Sequence, residues 1–365
     1  MWSNTVSVAF YPMIPSIMSI FEQGSVPPVA TDPRIQALTG WLTQPLGKPP
    51  ENLKPASSDA SFRRYFRVWC DGETYIAMDA PPPMEDVRPF MKIARLMQDA
   101  GVSTPTVHAA DEDNGFLLLD DFGSENYLDR LDEASADRLY GDAMDSLARL
   151  QAGVDTGSCG LPDYDETLLR NEMNLFRDWF LGKLLGLPSD PDRDQCLERT
   201  WRLLVASALE QPRVCVHRDY HSRNLMVTSV DNPGILDFQD AVIGPVTYDL
   251  VSLLRDCYVA WPPARVRQWA ADYHGLIKQH GIETGSLAEF LRWFDLMGIQ
   301  RHLKAIGIFS RLKLRDGKNG YLKDIPRTLS YVMSVGQDYP ELAEFLDLLR
   351  EQVLDRAGAV LGAPA

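Results

Sequence analysis

The sequence contains little that ties a chain to disulfides, membranes or nucleic acid. Its five cysteines include no Cys-x-x-Cys pair, which argues against a disulfide framework or zinc site and predicts free thiols in a reducing cytosol. No apolar run reaches the roughly 18 residues of a membrane span. The net charge of −15 disfavours binding to nucleic acid or anionic lipid. We therefore expect a cytoplasmic protein without nucleic-acid or membrane partners.

Signals for ordered structure are also scarce at the N-terminus. Residues 1–21 are mildly apolar but lack a basic segment and are interrupted by prolines, so we expect no signal peptide. We predict a poorly ordered arm over residues 1–33, and Met18 is an alternative start to Met1. The overall composition, 45% hydrophobic and 24% charged, is typical of a globular protein.

The next segment has the pattern of a small, strand-rich lobe. Residues 61–79 alternate aromatic and aliphatic side chains around Asp71-Gly72, which predicts a hairpin with its turn at that pair. Apolar residues at helical spacing from Val87 onward predict a helix that ends near Gly101. Residues 115–121 are typical of a buried strand. We assign residues 34–119 to an N-terminal lobe that binds nucleotide.

From residue 135 the pattern is mainly helical, and short apolar runs at 214–216, 225–227 and 235–238 interrupt it. We assign residues 120–365 to a large C-terminal lobe. The expected fold class is therefore α+β, with a small antiparallel sheet and a larger helical lobe. A cleft between two lobes is a common place for a ligand.

One segment carries a pattern that suits phosphoryl transfer. His217-Arg218-Asp219 is followed by Asn224 and, after an apolar run, by Asp237. Phosphoryl transfer needs a carboxylate to orient the acceptor hydroxyl and oxygen ligands to hold magnesium on the phosphates. The pattern predicts Asp219 as the catalytic base and Asn224 and Asp237 as Mg²⁺ ligands.

Three other features of this region bear on the assignment. His217 is predicted to brace the loop, whereas His221 either braces the loop or contacts the substrate. Asp121-Phe122-Gly123 also spells a kinase metal motif, but it precedes the catalytic loop and the metal aspartate should follow that loop. We place Leu119 and Asp121 instead at the hinge between the lobes, where backbone groups meet adenine.

On these residues the chain resembles the aminoglycoside phosphotransferase-like superfamily, which shares the protein-kinase fold. Within it, the chain most resembles the bacterial anomeric kinases of N-acetylmuramate and N-acetylglucosamine. The resemblance covers about residues 34–360 and implies transfer of the γ-phosphate of ATP, with Mg²⁺, to the C1 hydroxyl of the sugar in peptidoglycan recycling. The segments that carry it are 57–67, 78–82, 116–123, 216–224, 235–245, 248–256 and 300–321.

The chain departs from the kinase pattern at two places. The turn expected over the phosphates has no glycine, and the strand 75–79 has no lysine. Small residues still let backbone N–H groups approach a phosphate. We predict that Ser57, Ser58 and Ser61 take the place of the glycines, and that Arg63 or Arg64 supplies the missing charge.

The acceptor is predicted from a basic stripe. Arg301, Lys304 and Arg311 fall within roughly 100° of one helix face, and residues 301–315 contain no acid. Such a stripe suits an anionic acceptor or the ATP phosphates, although a solvated helix face has the same pattern. Asn171 and Glu172 begin another helix and are predicted to bind the sugar, with an ordinary polar surface as the alternative.

Two other functions remain open at this point. One is a phosphotransferase of the same fold acting on aminoglycosides, choline or homoserine, with Trp179, Trp261 and Trp293 as candidates for a choline cage. The other is a pseudokinase binding module, which the missing lysine favours. The sequence leaves the preferred sugar, the anomer, the nucleotide and the oligomeric state undetermined, with a monomer expected.

Overall fold

The small lobe is an antiparallel sheet with one helix on each face. The computed structural model of the protein describes residues 32–58 and 62–362. The sheet has the strand order β1-β2-β3-β5-β4, with every neighbouring pair antiparallel. The elements of this lobe are α1 (Pro33–Leu46), β1 (Asn52–Ser58), β2 (Arg64–Cys70), β3 (Glu73–Asp79), α2 (Val87–Asp99), β4 (Val107–Asp111) and β5 (Phe116–Asp120).

The predicted hairpin and helix of this lobe are confirmed. β2 and β3 pair in register around Asp71 and Gly72, whose φ angles of 55° and 80° are those that a two-residue hairpin turn requires. The predicted helix is α2, and it ends just before Gly101, where φ is 81°. Its apolar residues face the core because they recur at helical spacing.

The helix α1 was not predicted. The Asp32 carboxylate accepts a hydrogen bond from the backbone N–H of Arg34 and caps the helix, and Pro33 opens it. Leu38 and Leu42 of α1 join a separate core on the outer sheet face. The predicted N-terminal arm therefore overlaps the start of a helix at Asp32 and Pro33, while residues 1–31 lie outside the described residues.

The large lobe is mainly helical, as predicted. Two short antiparallel pairs, β6 with β9 and β7 with β8, interrupt the helices. Its helices are α3 (Tyr127–Arg130), α4 (Ala136–Gly153), α5 (Glu166–Leu175), α6 (Pro191–Leu209), α7 (Tyr248–Leu254), α8 (Pro263–Gln279), α9 (Leu287–Asp316), α10 (Ile325–Gly336), α11 (Ala343–Leu348) and α12 (Leu354–Leu361). Its strands are β6 (Arg213–Val216), β7 (Leu225–Met226), β8 (Gly234–Ile235) and β9 (Val242–Pro245).

Wider and tighter helical turns extend some of these helices. A π-helical segment, Phe176–Leu184, continues α5, and another, Leu349–Val353, joins α11 to α12. Short 3₁₀ segments, Asn319–Asp324 and Pro340–Leu342, precede α10 and α11.

One continuous core joins the two lobes. It contains the inner face of the small sheet, the apolar face of α2 and the helices of the large lobe. Phe90 of α2 lies 4.7 Å, between ring centroids, from Phe238, the residue after Asp237. This contact fixes the position of the Asp237 segment relative to α2. β5 ends at Asp120, close to the predicted lobe boundary, and the assignment of residues 34–119 and 120–365 to separate domains stays a prediction.

The central helix α9 passes α5 at very close range. A Cβ atom added to Gly307 of α9 would lie 2.4 Å from the carbonyl carbon of Leu175 and 2.6 Å from the amide nitrogen of Phe176. Both contacts are with backbone, which cannot rotate away, so the two helices need a glycine here. Because α9 also carries Arg301 and Lys304, this contact sets their depth in the lobe.

We expect Gly307→Ala to lower the free energy of unfolding by about 1–3 kcal/mol, since overpacking forces α9 away from α5. The matched control is Gly275→Ala on the exposed side of α8, where nothing lies within 4 Å of the added methyl group. That variant should be neutral or more stable by up to about 1 kcal/mol. Urea denaturation measures both, and equal effects would contradict the close approach of α9.

Candidate active site

The predicted catalytic loop connects β6 to β7, and a single carboxylate holds its start. Asp249, in the first turn of α7, accepts hydrogen bonds from the backbone N–H of His217 at 2.6 Å and of Arg218 at 3.0 Å. Arg218 has a φ of 79°, which is uncommon for a residue other than glycine. The two bonds to Asp249 hold this conformation and thereby aim the next residue, Asp219.

His217 braces the loop in this geometry. Its ring is fully buried, with Nε2 lying 3.0 Å from the Leu236 carbonyl oxygen and Nδ1 accepting from the backbone N–H of Asp219 at 3.2 Å. This pattern requires the neutral tautomer with hydrogen on Nε2. Burial lowers the pKa of His217 to about 4, so the ring stays neutral near pH 7. It ties the catalytic loop to the segment that carries Asp237.

The structure brings Asp219, Asn224 and Asp237 together. The Asn224 side-chain amide donates to the Asp219 carbonyl oxygen at 3.0 Å and to Asp237 Oδ2 at 3.4 Å. Gln239 holds the other Asp237 oxygen at 2.7 Å. All three predicted residues line one cavity of ≈ 320 Å³. The convergence on which the phosphoryl-transfer hypothesis depends is therefore present.

The charge state of Asp219 suits a proton acceptor. Burial alone would raise the pKa of Asp219, but the nearby charges of Lys304, His221 and Arg301 outweigh burial and lower the pKa below its usual 3.8. The carboxylate is therefore ionised at neutral pH. An ionised carboxylate can accept a hydrogen bond from a hydroxyl and then take its proton.

The oxygen donors at the cavity fit a hard divalent cation. No group of three or more His, Cys, Asp or Glu side chains in residues 32–58 and 62–362 is arranged to hold a metal ion by itself. Asn224 and Asp237 supply a pair of oxygen-bearing side chains instead. Mg²⁺ in phosphoryl-transfer sites is held by one or two carboxylates together with the phosphates and water, and this pair matches that requirement.

Two of the predicted acceptor cations, Arg301 and Lys304, line the same cavity. The Lys304 ammonium donates to the Tyr248 hydroxyl at 2.8 Å and pairs with Glu172 at 3.0 Å. Glu172 also pairs with Arg218 at 2.6 Å and is only 4% exposed. Glu172 thus lies behind the cavity wall as the counter-ion of Lys304 and Arg218, and it does not line the cavity.

Other predicted substrate residues are placed differently. His221 lines the cavity, and its Nδ1 has no hydrogen-bond partner in the described structure. Arg311 is partly buried on α9, between the lining residues Phe309 and Leu312, and Asn171 is exposed on α5. Neither Arg311 nor Asn171 lines the cavity, so their substrate contacts stay predictions.

The two predicted nucleotide arginines already have acidic partners. Arg64 pairs with Asp32 at 2.5 Å and with the fully buried Asp79. Arg63 lies 3.8 Å from Glu85. These contacts anchor the start of β2 to α1 and β3, and they leave the roles of both arginines at the phosphates as predictions.

The remaining nucleotide residues lie on or beside the small sheet. Ser57 and Ser58 end β1, whereas Ser61 falls outside the described residues. Leu119 is buried in β5, and the Asp121 carboxylate accepts two hydrogen bonds from Arg67, at 2.6 and 2.9 Å. This ion pair ties the residue that follows β5 to β2, and the roles of Leu119 and Asp121 at a hinge stay predictions.

The sequence analysis missed several cavity residues. Arg223 precedes Asn224 in the catalytic loop, and its guanidinium lies 3.7 Å from the ring centroid of Tyr258 and 5.9 Å from that of Tyr321. Phe309 stacks on Tyr321 with ring centroids 5.6 Å apart. A basic residue inside a catalytic loop was a usable signal for Arg223, but the aromatic partners come from distant segments.

Comparison with known sequences shows what the chain is similar to. The model of the phosphotransferase enzyme family matches residues 52–290. An N-acetylmuramate/N-acetylglucosamine kinase of Pseudomonas putida is 48% identical over 332 residues, which are 88% of this chain and 97% of that protein. Kinases with the same name from Pseudomonas aeruginosa and Neisseria meningitidis are 49% and 41% identical, over 88% and 87% of this chain and 97% and 96% of their own lengths.

Solved structures share the fold at low sequence identity. ADP-bound aminoglycoside phosphotransferase APH(2'')-Ib superposes with a TM-score of 0.56 at 15% identity, over 81% of this chain and 97% of its own. Choline kinase LicA from Streptococcus pneumoniae has a TM-score of 0.58 at 10% identity, over 82% and 98%. These similarities confirm the predicted two-lobed fold.

The described residues contain no helix long and apolar enough to cross a bilayer. The family match covers more than half of the chain, and the relatives above match nearly their whole lengths. The chain is a kinase-type phosphotransferase and belongs to the phosphotransferase enzyme family.

Proposed function

We propose that this phosphotransferase moves the γ-phosphate of ATP, with Mg²⁺, to the C1 hydroxyl of N-acetylmuramate or N-acetylglucosamine, giving a sugar 1-phosphate and ADP. The convergence of Asp219, Asn224 and Asp237 on one cavity carries the proposal. Relatives of 41–49% identity that bear the name of this activity support the choice of acceptor. Such an enzyme acts in peptidoglycan recycling, and we expect a cytoplasmic monomer.

Asp219 takes the proton in the proposed reaction. The acceptor oxygen forms a bond to the γ-phosphorus while the bond from that phosphorus to its bridging oxygen breaks, and ADP leaves. The hydroxyl proton passes to the Asp219 carboxylate, whose lowered pKa keeps it ionised beforehand. Asn224 and Asp237 would hold Mg²⁺, which neutralises charge on the phosphate oxygens.

The small lobe is the proposed nucleotide site. Backbone groups of the β1–β2 turn, with Ser57, Ser58 and Ser61, would approach the phosphates, and Arg63 or Arg64 would add charge. The hinge near Leu119 and Asp121 would take the base. Structures of this fold with bound ADP and GDP support nucleotide use.

The cavity disfavours the alternative acceptors. Its lining includes Arg223, Arg301 and Lys304, which repel cationic aminoglycosides and choline. None of the three tryptophans considered for a choline cage lines it. Trp261, for example, makes an edge-to-face contact with Tyr140. The complete set of Asp219, Asn224 and Asp237 also favours turnover over a pseudokinase.

We expect wild-type protein with ATP and Mg²⁺ to convert N-acetylmuramate or N-acetylglucosamine into the 1-phosphate. Because the acceptor atom defines the class of kinase, ³¹P–¹H NMR of the product is the measurement. A panel with kanamycin, choline and homoserine serves as the control. A product phosphorylated at C6, or faster turnover of any control acceptor, would reject the proposal.

We expect Asp219→Asn to lower kcat by about 100-fold or more, since an amide cannot accept the proton, while Tm and ATP affinity are retained. Asp240→Asn is the matched control, because Asp240 is an exposed carboxylate on the neighbouring loop and does not line the cavity. Coupled detection of ADP release measures both. Near-normal kcat in Asp219→Asn would show that another group is the base.

We expect Asp237→Ala to remove the Mg²⁺ dependence of ATP binding. Loss of even a supporting contact at a metal ligand costs roughly 10- to 100-fold in metal affinity, and loss of the ligand itself should cost at least that. Calorimetric titration of ATP with Mg²⁺ and with EDTA measures the effect. Wild type and variant should agree in EDTA, and an unchanged response to Mg²⁺ would remove Asp237 from the metal site.

A further inference from the structure

The cavity at Asp219 belongs entirely to the large lobe. All of its lining residues lie at or after Asp219 in the chain. They come from the catalytic loop, from Asp237 after β8, from α7 and the loop that follows it, from α9 and from the 3₁₀ segment that follows α9. The nucleotide is expected from the small lobe across the hinge. The chamber is therefore placed to receive the acceptor, and the charges on its wall bear on what the acceptor carries.

The cationic side chains on this wall differ in how well they are neutralised. Lys304 has Glu172 as a partner at 3.0 Å. Arg301 is 6% exposed, its Nε has no acceptor among the described residues, and its Nη1 donates to the Cys257 sulfur at 3.8 Å. The charges of Asp256 and Asp219 act on Arg301, but neither carboxylate pairs with it directly. A buried guanidinium without a direct ion pair is costly, and the anionic group of a ligand can supply that pair.

Arg223 also has no anionic partner among the described residues, and the ring of Tyr258 holds its guanidinium in place. It makes no ion pair with any described residue, and its guanidinium is stacked 3.7 Å from the Tyr258 ring centroid. The carboxylate of Asp324, which feels the charge of Arg223, pairs with Arg327 at 3.5 Å instead. Stacking orients the planar group while leaving its N–H donors free for bidentate binding of a carboxylate.

One part of the wall is apolar. Ala305, Ile308 and Leu312, on one face of α9, line the cavity beside the two arginines. A free inorganic anion gains nothing from such a surface, whereas a carboxylate on a short hydrocarbon substituent buries the hydrocarbon there. The combination indicates an acceptor whose acid group is attached through carbon.

We propose that Arg223, stacked on Tyr258, is a specificity residue that with Arg301 binds the carboxylate of the acceptor. The inference rests on the proposed function. It assigns the lactyl ether of N-acetylmuramate, and not only its sugar ring, to a site on the wall formed by the catalytic loop and α9. N-acetylglucosamine, which lacks that ether, leaves the two arginines without their anion.

The test compares matched acceptors in matched variants. Arg223→Gln should lower kcat/KM for N-acetylmuramate by roughly 30-fold or more, the size expected when one partner of a buried charge pair is lost. The same variant should change kcat/KM for N-acetylglucosamine and for the methyl ester of N-acetylmuramate by only a few-fold. Arg223→Lys should recover part of the loss, because charge returns without the planar fork.

Arg315→Gln is the control for general electrostatics, since Arg315 lies on the same helix but is exposed and paired with Asp316. It should leave the ratio of the two acceptors unchanged. Equal losses on all acceptors in Arg223→Gln would overturn the inference and give Arg223 a role in holding the catalytic loop.

Binding separates this inference from the proposed function. If wild type phosphorylates neither sugar, calorimetry still compares N-acetylmuramate with its methyl ester. Tighter binding of the acid that disappears in Arg223→Gln would uphold the carboxylate site while the proposed function fails. No preference for the acid in wild type would overturn the inference even if both sugars are phosphorylated.

Discussion

The site depends on the two hydrogen bonds that the Asp249 carboxylate accepts from consecutive backbone N–H groups. These bonds, at 2.6 Å from His217 and 3.0 Å from Arg218, fix the orientation of two neighbouring peptide groups. They involve only the backbone of His217 and Arg218, so the side chains of these two residues are not needed for them. The left-handed backbone at Arg218 is stable only because this contact over-determines it. His217 then transmits the placement to Leu236, and so to Asp237. The proposed base and the proposed metal ligands therefore share one anchor in α7.

A second constraint is the buried charge network behind the cavity. Glu172 faces Arg218, Lys304 and Gln300, at 2.6, 3.0 and 3.3 Å. Burial would raise the pKa of Glu172, but Lys304 and Arg218 lower it below its usual 4.5, so the carboxylate stays ionised. Removing one member of such a network leaves an uncompensated buried charge, which costs about 3–5 kcal/mol. The network holds α5, the loop between β6 and β7, and α9 together around the cavity.

The sequence predicted those parts of the molecule that local patterns encode. The hairpin at Asp71, the helix α2 and the catalytic loop each depend on residues close together in the chain. The helix α1 was also encoded locally, by the cap at Asp32 and the apolar residues Leu38 and Leu42. It was missed because its first residues had been assigned to the poorly ordered N-terminal arm. By contrast, the burial of Glu172 behind Lys304 depends on how α5 packs on α9, which no local pattern contains.

The whole chain carries a net negative charge, whereas the cations outnumber the carboxylates on the cavity wall. This contrast has a consequence for the binding of anions. A protein of net charge −15 repels ATP and an acidic sugar at long range, although salt limits that repulsion to roughly 10 Å. Inside the cavity the dielectric constant is low, so the interaction energy of an anion with nearby cations is larger than its interaction energy with distant acidic residues. Arg223 and Arg301 make no ion pair with a carboxylate among the described residues, so an entering anion can pair directly with both. If the cavity binds the acceptor as proposed, contacts inside it decide the discrimination among acceptors, and the field that surrounds the protein does not.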